Sequence, residues 1–329
     1  MRPLIECVPN FSEGRNPEVI AAIVNAIASV EGVKVLNVDP GEATNRTVVT
    51  FVGTPEAVVE AAFQGAAKAK ERIDMRLHHG THPRSGAIDV LPLIPISGIT
   101  LDECAVLARQ LAKRMFTELG IPCYCYEAAA FKPERKNLAY CRAGEYEALP
   151  QKMADPELKP DFGGTFDETV ARTGASNVGA RNFLIAVNFN LNSKSADIAT
   201  EIARDVREKG RKVDGQWVRG TLKGCKAIGW YIEEYGIAQV SMNITDIEAT
   251  PLHIAYEEVC RAAAVRGVKV TGTEIIGLVP RASLIKAGKF YLERRHLCPD
   301  IPEMEIIQMA VKAMALDDLK PFNPEEKLI

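Results

Sequence analysis

Three of the five histidines, His78, His79 and His82, fall within five consecutive positions of the stretch Arg76-Leu77-His78-His79-Gly80-Thr81-His82-Pro83-Arg84-Ser85-Gly86. Imidazole is the side chain whose ordinary pKa lies nearest neutrality, so a cluster of it on a rigid segment reads as proton transfer or metal binding. The spacings His78/His82 and His79/His82 converge on zinc only in a helix. Gly80, Pro83 and Gly86 argue against one, and no H-E-x-x-H glutamate is present. A positioned acid/base is the favoured reading, with His82, set between Thr81 and Pro83 and followed by Arg84, as the group that moves the proton.

Other stretches carry polar groups where elements end. The run Glu6-Cys7-Val8-Pro9-Asn10-Phe11-Ser12-Glu13-Gly14 is either a helix-entry loop or the place where a strand meets a ligand. Asp39, with Asn45 and Arg46 across the turn Asp39-Pro40-Gly41, is either a turn former or the carboxylate that orients a histidine. The glycines around 161–165 and 174–179 either link two domains or offer backbone N–H groups to a planar or anionic ligand. Residues 239–246 alternate polar with apolar, as a strand does when its polar face lines a cleft or meets solvent. His253 and His296 read as structural.

These loops need a scaffold. At 329 residues, 47% apolar and 25% charged, the chain is a globular protein of two compact units. A net charge of −3 excludes a general attraction to nucleic acid or to an anionic membrane. No signal-peptide pattern opens the chain and no apolar run approaches the ~20 residues of a membrane span, so a cytoplasmic protein is expected. Eight cysteines without a C-x-x-C pair read as reduced core thiols, Cys123 and Cys125 sharing one face of a strand.

Apolar periodicity gives a strand at 4–8, a helix capped by Asn16 with Pro17 at its first position, strands at 33–38 and 46–53, a helix from Pro55, and a strand at 87–96. That order is βαββαβ. A further helix starts at the capping box Thr100/Glu103 and leads through Gly120 to a strand at 121–126. Residues 153–180, punctuated by Pro156, Pro160, Gly163, Gly164, Gly174 and Gly179, keep no period and are expected to be the domain junction. The same grammar then restarts: a strand at 182–190, a helix capped by Ser193, a hairpin 226–232/237–244, a helix from Thr250-Pro251 and a strand at 268–271, followed by helices near 281–293 and 302–315. The expectation is an α+β fold of two ferredoxin-like subdomains, 1–180 and 181–329, whose uncovered sheet faces enclose a cleft.

In chain order, Glu6 to Gly14, Asn45-Arg46-Thr47, Thr50-Phe51-Val52-Gly53, His82-Pro83-Arg84 with Gly86-Ala87-Ile88-Asp89-Val90, Arg142-Ala143-Gly144-Glu145-Tyr146-Glu147 and Gly229-Trp230-Tyr231 make the chain resemble the glutamate formiminotransferase family, which includes the formiminotransferase domain of formiminotransferase-cyclodeaminase. The resemblance covers essentially the whole chain. It implies a homodimeric one-carbon transferase of histidine degradation that moves the formimidoyl group of N-formimidoyl-L-glutamate to N5 of tetrahydrofolate, giving 5-formimidoyltetrahydrofolate and L-glutamate. No metal, nucleic acid or membrane partner is expected, and with the sequence ending at Ile329 only the transferase step is.

The resemblance also implies that His82 is catalytic with Asp39 as its partner in the site. It places the folate-binding loop at 163–174, with Gly163, Gly164, Thr165, Phe166, Arg172, Thr173 and Gly174. Asn10, Ser12, Asn45, Arg46 and Arg84 complete the expected binding set. Thr81 and Ser85 stand where the family more often has Glu and Met, and the loop is longer and more acidic through Asp167 and Glu168. Three alternatives stand beside this reading. They are a non-catalytic folate-binding module, a formyl transferase using N-formyl-glutamate or 5-formyltetrahydrofolate, and a metal-assisted or cyclo-ligase-like enzyme built on the histidine loop.

Overall fold

A computed structural model describes residues 2–329. They form two compact units, one extending to Asn182 and the other spanning Phe183–Ile329. Each has its own apolar core.

The first unit begins with β1 (Leu4–Cys7), β2 (Asn10–Phe11), α1 (Pro17–Ala28), β3 (Val33–Gly41), β4 (Arg46–Gly53), α2 (Pro55–Arg72) and β5 (Ile88–Ser97). β1 and β2 form one line, broken at Val8-Pro9, between β4 and β5, and β3 flanks β4. All these pairings are antiparallel, and the order β3-β4-β1-β5 is the ferredoxin-like arrangement. Local sequence explains the elements. The Asn16 side chain accepts from the N–H groups of Glu18 and Val19, Pro17 supplies a pre-set first turn, and Ile23 and Ile27 fall one turn apart on the buried face. The capping box of Thr100 and Glu103 opens α3 (Leu101–Leu119), and Gly120 closes it in the left-handed region.

Beyond that core the sheet continues in parallel, β5 to β7 (Ser176–Ala180) to β6 (Cys123–Glu127). The expected junction at 153–180 therefore contains a strand, buried at every position. Its residues, Ser-Asn-Val-Gly-Ala, keep no alternation because both faces are covered. Gly179 is there for room: a Cβ at that position would stand 2.6 Å from the ring of Tyr126. On one face Cys123 and Cys125 join the core packed under α1 to α3. On the other, Tyr124 and Tyr126 cluster with residues of α4 (Leu138–Cys141), α5 (Leu149–Ala154) and α6 (Glu168–Thr173). The segment that reads as linker thus covers part of a face expected to be bare.

A second difference lies at Asp39-Pro40-Gly41, expected as a turn. These residues continue β3, opposite Val48, Thr47 and Arg46, and the chain reverses at 42–45. β3 is an edge strand, where a missing proline N–H breaks no ladder bond.

The second unit repeats the topology with β8 (Ile185–Leu191), α7 (Ala196–Val206), the small hairpin β9 (Arg211–Val213) and β10 (Gln216–Val218), β11 (Cys225–Ile232), β12 (Ile237–Ile244), α8 (Leu252–Ala264) and β13 (Val270–Ile276). The sheet order β11-β12-β8-β13 is again ferredoxin-like and antiparallel. α9 (Arg281–Arg294) and α10 (Glu303–Ala313) join its core, and α11 (Pro324–Lys327) ends the chain. Ser195 rather than Ser193 caps α7. The unforeseen hairpin turns on Asp214-Gly215, both at positive φ, a pairing that suits the tight turn between right-handedly twisted strands.

α7 crosses β11 at Gly229, where a Cβ would lie 2.0 Å from the backbone nitrogen of Thr200 and 2.3 Å from the carbonyl carbon of Ala199. Neither atom can rotate away. Gly229→Ala is expected to lower stability by roughly 1–3 kcal/mol, read as an earlier urea midpoint at constant m. An unmoved midpoint would show that the helix slides at no cost.

All eight cysteines are free, six of them buried. Cys260 is half-buried, and Cys298, on the segment after α9, is exposed, so the core reading fails there. His253 is buried against the ring of Phe290, with centroids 4.6 Å apart, and His296 is an exposed residue at positive φ. Among the described residues no helix is long and apolar enough to cross a membrane.

Candidate functional site

The three clustered histidines have three different surroundings. His78 is buried; its Nε2–H donates to the carbonyl of Asn45 at 2.8 Å, which leaves Nδ1 to accept from Arg84 Nε at 3.3 Å. Burial, foremost, lowers its pKa. This ring is a neutral brace with both nitrogens engaged. His79 is exposed.

His82 is half-buried, and its Nδ1 lies 2.7 Å from the carbonyl of Pro83. A carbonyl only accepts, so Nδ1 carries the hydrogen and Nε2 is the basic nitrogen of the neutral ring. Burial, then the guanidiniums of Arg46 and Arg142, hold its pKa well below the usual histidine value, with Asp89 opposing them. Among the described residues no three His, Cys, Asp or Glu side chains converge as a metal site requires.

Asp89 is the hub of the charges around His82. It is the extra residue of a bulge in β5: Phe11 pairs with Ile88 and Asn10 with Val90, so Asp89 is left without a partner position. Such a bulge re-aims a side chain. The carboxylate is wholly buried; Oδ2 accepts from Arg46 Nη1 at 2.5 Å and Arg142 Nη2 at 2.7 Å, and Oδ1 accepts from the Ser85 N–H at 2.9 Å. Burial pushes its pKa up, but Arg142 and Arg46 together outweigh that and bring it to about 2. Arg46, the first residue of β4, also donates from Nε to Asn10 Oδ1 at 3.0 Å. Asn10, Arg46, Asp89 and Arg142 form one connected array.

Ser12, Asn45 and Arg84 brace the loop. Ser12 Oγ donates to the carbonyl of Gly86 at 2.7 Å. Asn45, at φ +46°, donates to the carbonyl of His79 and accepts from the N–H of Gly14, both at 3.0 Å. Arg84 is buried, with Nη1 and Nη2 donating to the two oxygens of Glu147 at 2.8 and 2.7 Å and Nη1 also to Glu145 at 3.2 Å.

Residues 163–174 are not one loop. Gly163, at φ +107°, packs against Pro122, Gly164 and Thr165 are exposed, and Phe166 lies against the cluster around Tyr124. Asp167 then caps α6 through the N–H of Val170 at 2.9 Å. From α6, Arg172 donates to the carbonyl of Glu71 at 2.9 Å, at the end of α2, and Thr173 is buried with Oγ1 on the Thr169 carbonyl at 3.0 Å. Gly174, at φ +66°, abuts the histidine loop: a Cβ on it would stand 2.3 Å from the Ser85 carbonyl oxygen. Asp39 sits on β3 opposite Val48. The Asp89 carboxylate acts electrostatically on His82.

Asp89 and Arg142 are the residues that reading the sequence left without a role. The available signal was one aspartate inside the otherwise apolar run Ala87 to Ile94.

In the second unit the expected polar strand face contributes to a network. Gln239 is buried, donating to Asn190 Oδ1 at 2.8 Å and to Glu274 at 3.2 Å while accepting from Trp230 Nε1 at 3.0 Å. Asn188 donates to Glu274 at 3.0 Å and Asn190 to Asp318 at 3.1 Å. Of the expected strand face only Gln239 joins this network, while Asn243 further along is exposed.

Comparison with known proteins adds to this geometry. Residues 4–181 match the family model described as the formiminotransferase domain, N-terminal subdomain, and residues 186–329 match that of the formiminotransferase domain. The chain is 48% identical over 329 residues to a formimidoyltransferase-cyclodeaminase of Gallus gallus, covering all of this chain and 60% of that protein. It is 43% identical over 294 residues to a glutamate formimidoyltransferase of Streptococcus pyogenes serotype M1, covering 89% of this chain and 94% of the relative. A glutamate formimidoyltransferase of Thermoplasma acidophilum is 43% identical over 292 residues, with 88% and 92% covered.

Proposed function

Because the chain belongs to the formiminotransferase family, we propose that it is a glutamate formimidoyltransferase. It carries the formimidoyl group of N-formimidoyl-L-glutamate to N5 of tetrahydrofolate and releases L-glutamate. The observation that carries the reading is His82, a neutral imidazole whose Nδ1 is committed to the Pro83 carbonyl, so that Nε2 alone takes up a proton.

As N5 attacks the formimidoyl carbon, His82 Nε2 accepts the N5 proton; as the carbon–nitrogen bond to glutamate breaks, the same ring returns that proton to the leaving nitrogen. Bonds and protons balance without a further reactant. Asn10 and Arg46 face the substrates, residues 163–167 and Gly174 form the folate edge, and Asp39 is a second polar partner. Ser12, Asn45, Arg84, Arg172 and Thr173 hold these segments in place. The enzyme works as a cytoplasmic homodimer in histidine degradation and one-carbon metabolism, with no metal.

The test is to supply both substrates and follow release of L-glutamate together with formation of 5-formimidoyltetrahydrofolate. Saturable binding of tetrahydrofolate without glutamate release would mark a binding module instead. Transfer from N-formyl-glutamate at the higher kcat/KM would mark a formyl transferase. Loss of turnover on chelation would return the histidine loop to metal chemistry. The base acts when deprotonated, so its lowered pKa extends the active range downward. kcat/KM is expected to stay level as pH falls through 6.5 and to drop only in more acidic solution. An acid limb centred at or above 6.5 would contradict the burial and charges assigned to His82.

A further inference from the structure

Resting on that reading, we infer that Arg46 and Arg142 form the seat for the α-carboxylate of the amino-acid donor. The guanidiniums of Arg46 and Arg142 and the carboxylate of Asp89 all bear on His82. Asp89 engages both arginines through a single oxygen, Oδ2, its other oxygen being occupied by the Ser85 N–H. Arg142, whose side chain is only 15% exposed, therefore keeps part of its donor fork unmatched, and its Nε is buried without a hydrogen-bond partner. A buried surplus of positive charge and an unmatched guanidinium edge are both costly unless an anion completes them. A carboxylate does so with two parallel hydrogen bonds.

Chemistry selects which carboxylate. In the donor, the nitrogen that must receive the proton from His82 is bonded to the α-carbon, and the α-carboxylate is the next group along. The carboxylates of tetrahydrofolate lie at the far end of the molecule from N5, beyond the aminobenzoyl ring. One group of one substrate thus belongs near both the imidazole and the arginine pair. The γ-carboxylate is farther from the leaving nitrogen and is not read here.

The experiment titrates wild type, Arg142→Gln and Arg142→Lys with L-glutamate, with its α-amide isoglutamine and with its γ-amide glutamine, and measures KM for each substrate. For Arg142→Gln a roughly ten- to hundred-fold weakening of L-glutamate binding is expected, with KM for the donor rising in step and KM for tetrahydrofolate within about twofold. Lysine, which keeps the charge without the fork, is expected in between and serves should the glutamine variant not fold. On the wild type, glutamine should bind about as well as glutamate and isoglutamine far less well. Isoglutamine binding as tightly as glutamate, or a tetrahydrofolate KM that rises while the donor KM does not, overturns the inference. Wild-type protein that discriminates the amides in this way yet transfers nothing overturns the transferase reading alone.

Discussion

His82→Gln is expected to lower turnover by about 10²–10⁴-fold, the range over which positioned proton transfer contributes to rate. Glutamine is close in reach, and its amide N–H can still donate to the Pro83 carbonyl, so the loop retains the contact that now orients the ring. What it lacks is a nitrogen that takes up and returns a proton. Substrate affinities and the thermal midpoint are expected to stay near those of the parent, because His78 braces the loop through Asn45 and Arg84. Turnover within a few-fold of the parent would remove His82 from the mechanism. Collapse of folding together with activity would make its role structural.

The second large effect is expected for Asp89→Asn. The substitution leaves the buried guanidinium of Arg46 and the largely buried one of Arg142 without the Asp89 charge, and breaking a buried ion pair on one side costs roughly 3–5 kcal/mol. The asparagine carbonyl still accepts from the Ser85 N–H, but its amide then points hydrogen toward Arg46 and Arg142, which are donors themselves. Chemical denaturation should show the loss directly. The pH dependence gives an independent check. With a folded pKa of about 2 against an ordinary 3.8, Asp89 contributes stability that is complete above about pH 4 and is lost as pH falls toward 2. The wild type should show that acid limb and the variant should lack it. Equal stability of the two proteins at neutral pH would mean that water or a bound anion already balances the arginines.

Both βαββαβ repeats are legible because their strands are short apolar runs bounded by turn residues and the first helix start is written locally, in Asn16-Pro17, as is that of α3 in Thr100/Glu103. β7 is not legible for a physical reason: it is small, covered on both faces and paired in parallel, so no alternation survives. Gly179 reads as a breaker when its role is to admit the Tyr126 ring. At the hairpin, Pro40-Gly41 has the stronger local turn signal, yet the reversal falls at 42–45, where the side chain of Asn45 is tied to Gly14 and to His79. The site divides the same way. His82 stands out in the chain because Gly and Pro isolate it. The clamp on Asp89 does not, since Arg46 and Arg142 reach it from 43 and 53 positions away and leave no mark on local pattern.

The Asp89 clamp ties the bulged strand, the start of β4, the end of α4 and the backbone of the histidine loop through a single side chain. A joint of that kind has no independent hinge. Dismantling the charged surroundings of His82 therefore disturbs the sheet beside them, and heat inactivation is expected to coincide with loss of tertiary structure in this unit, with no dormant folded species between them.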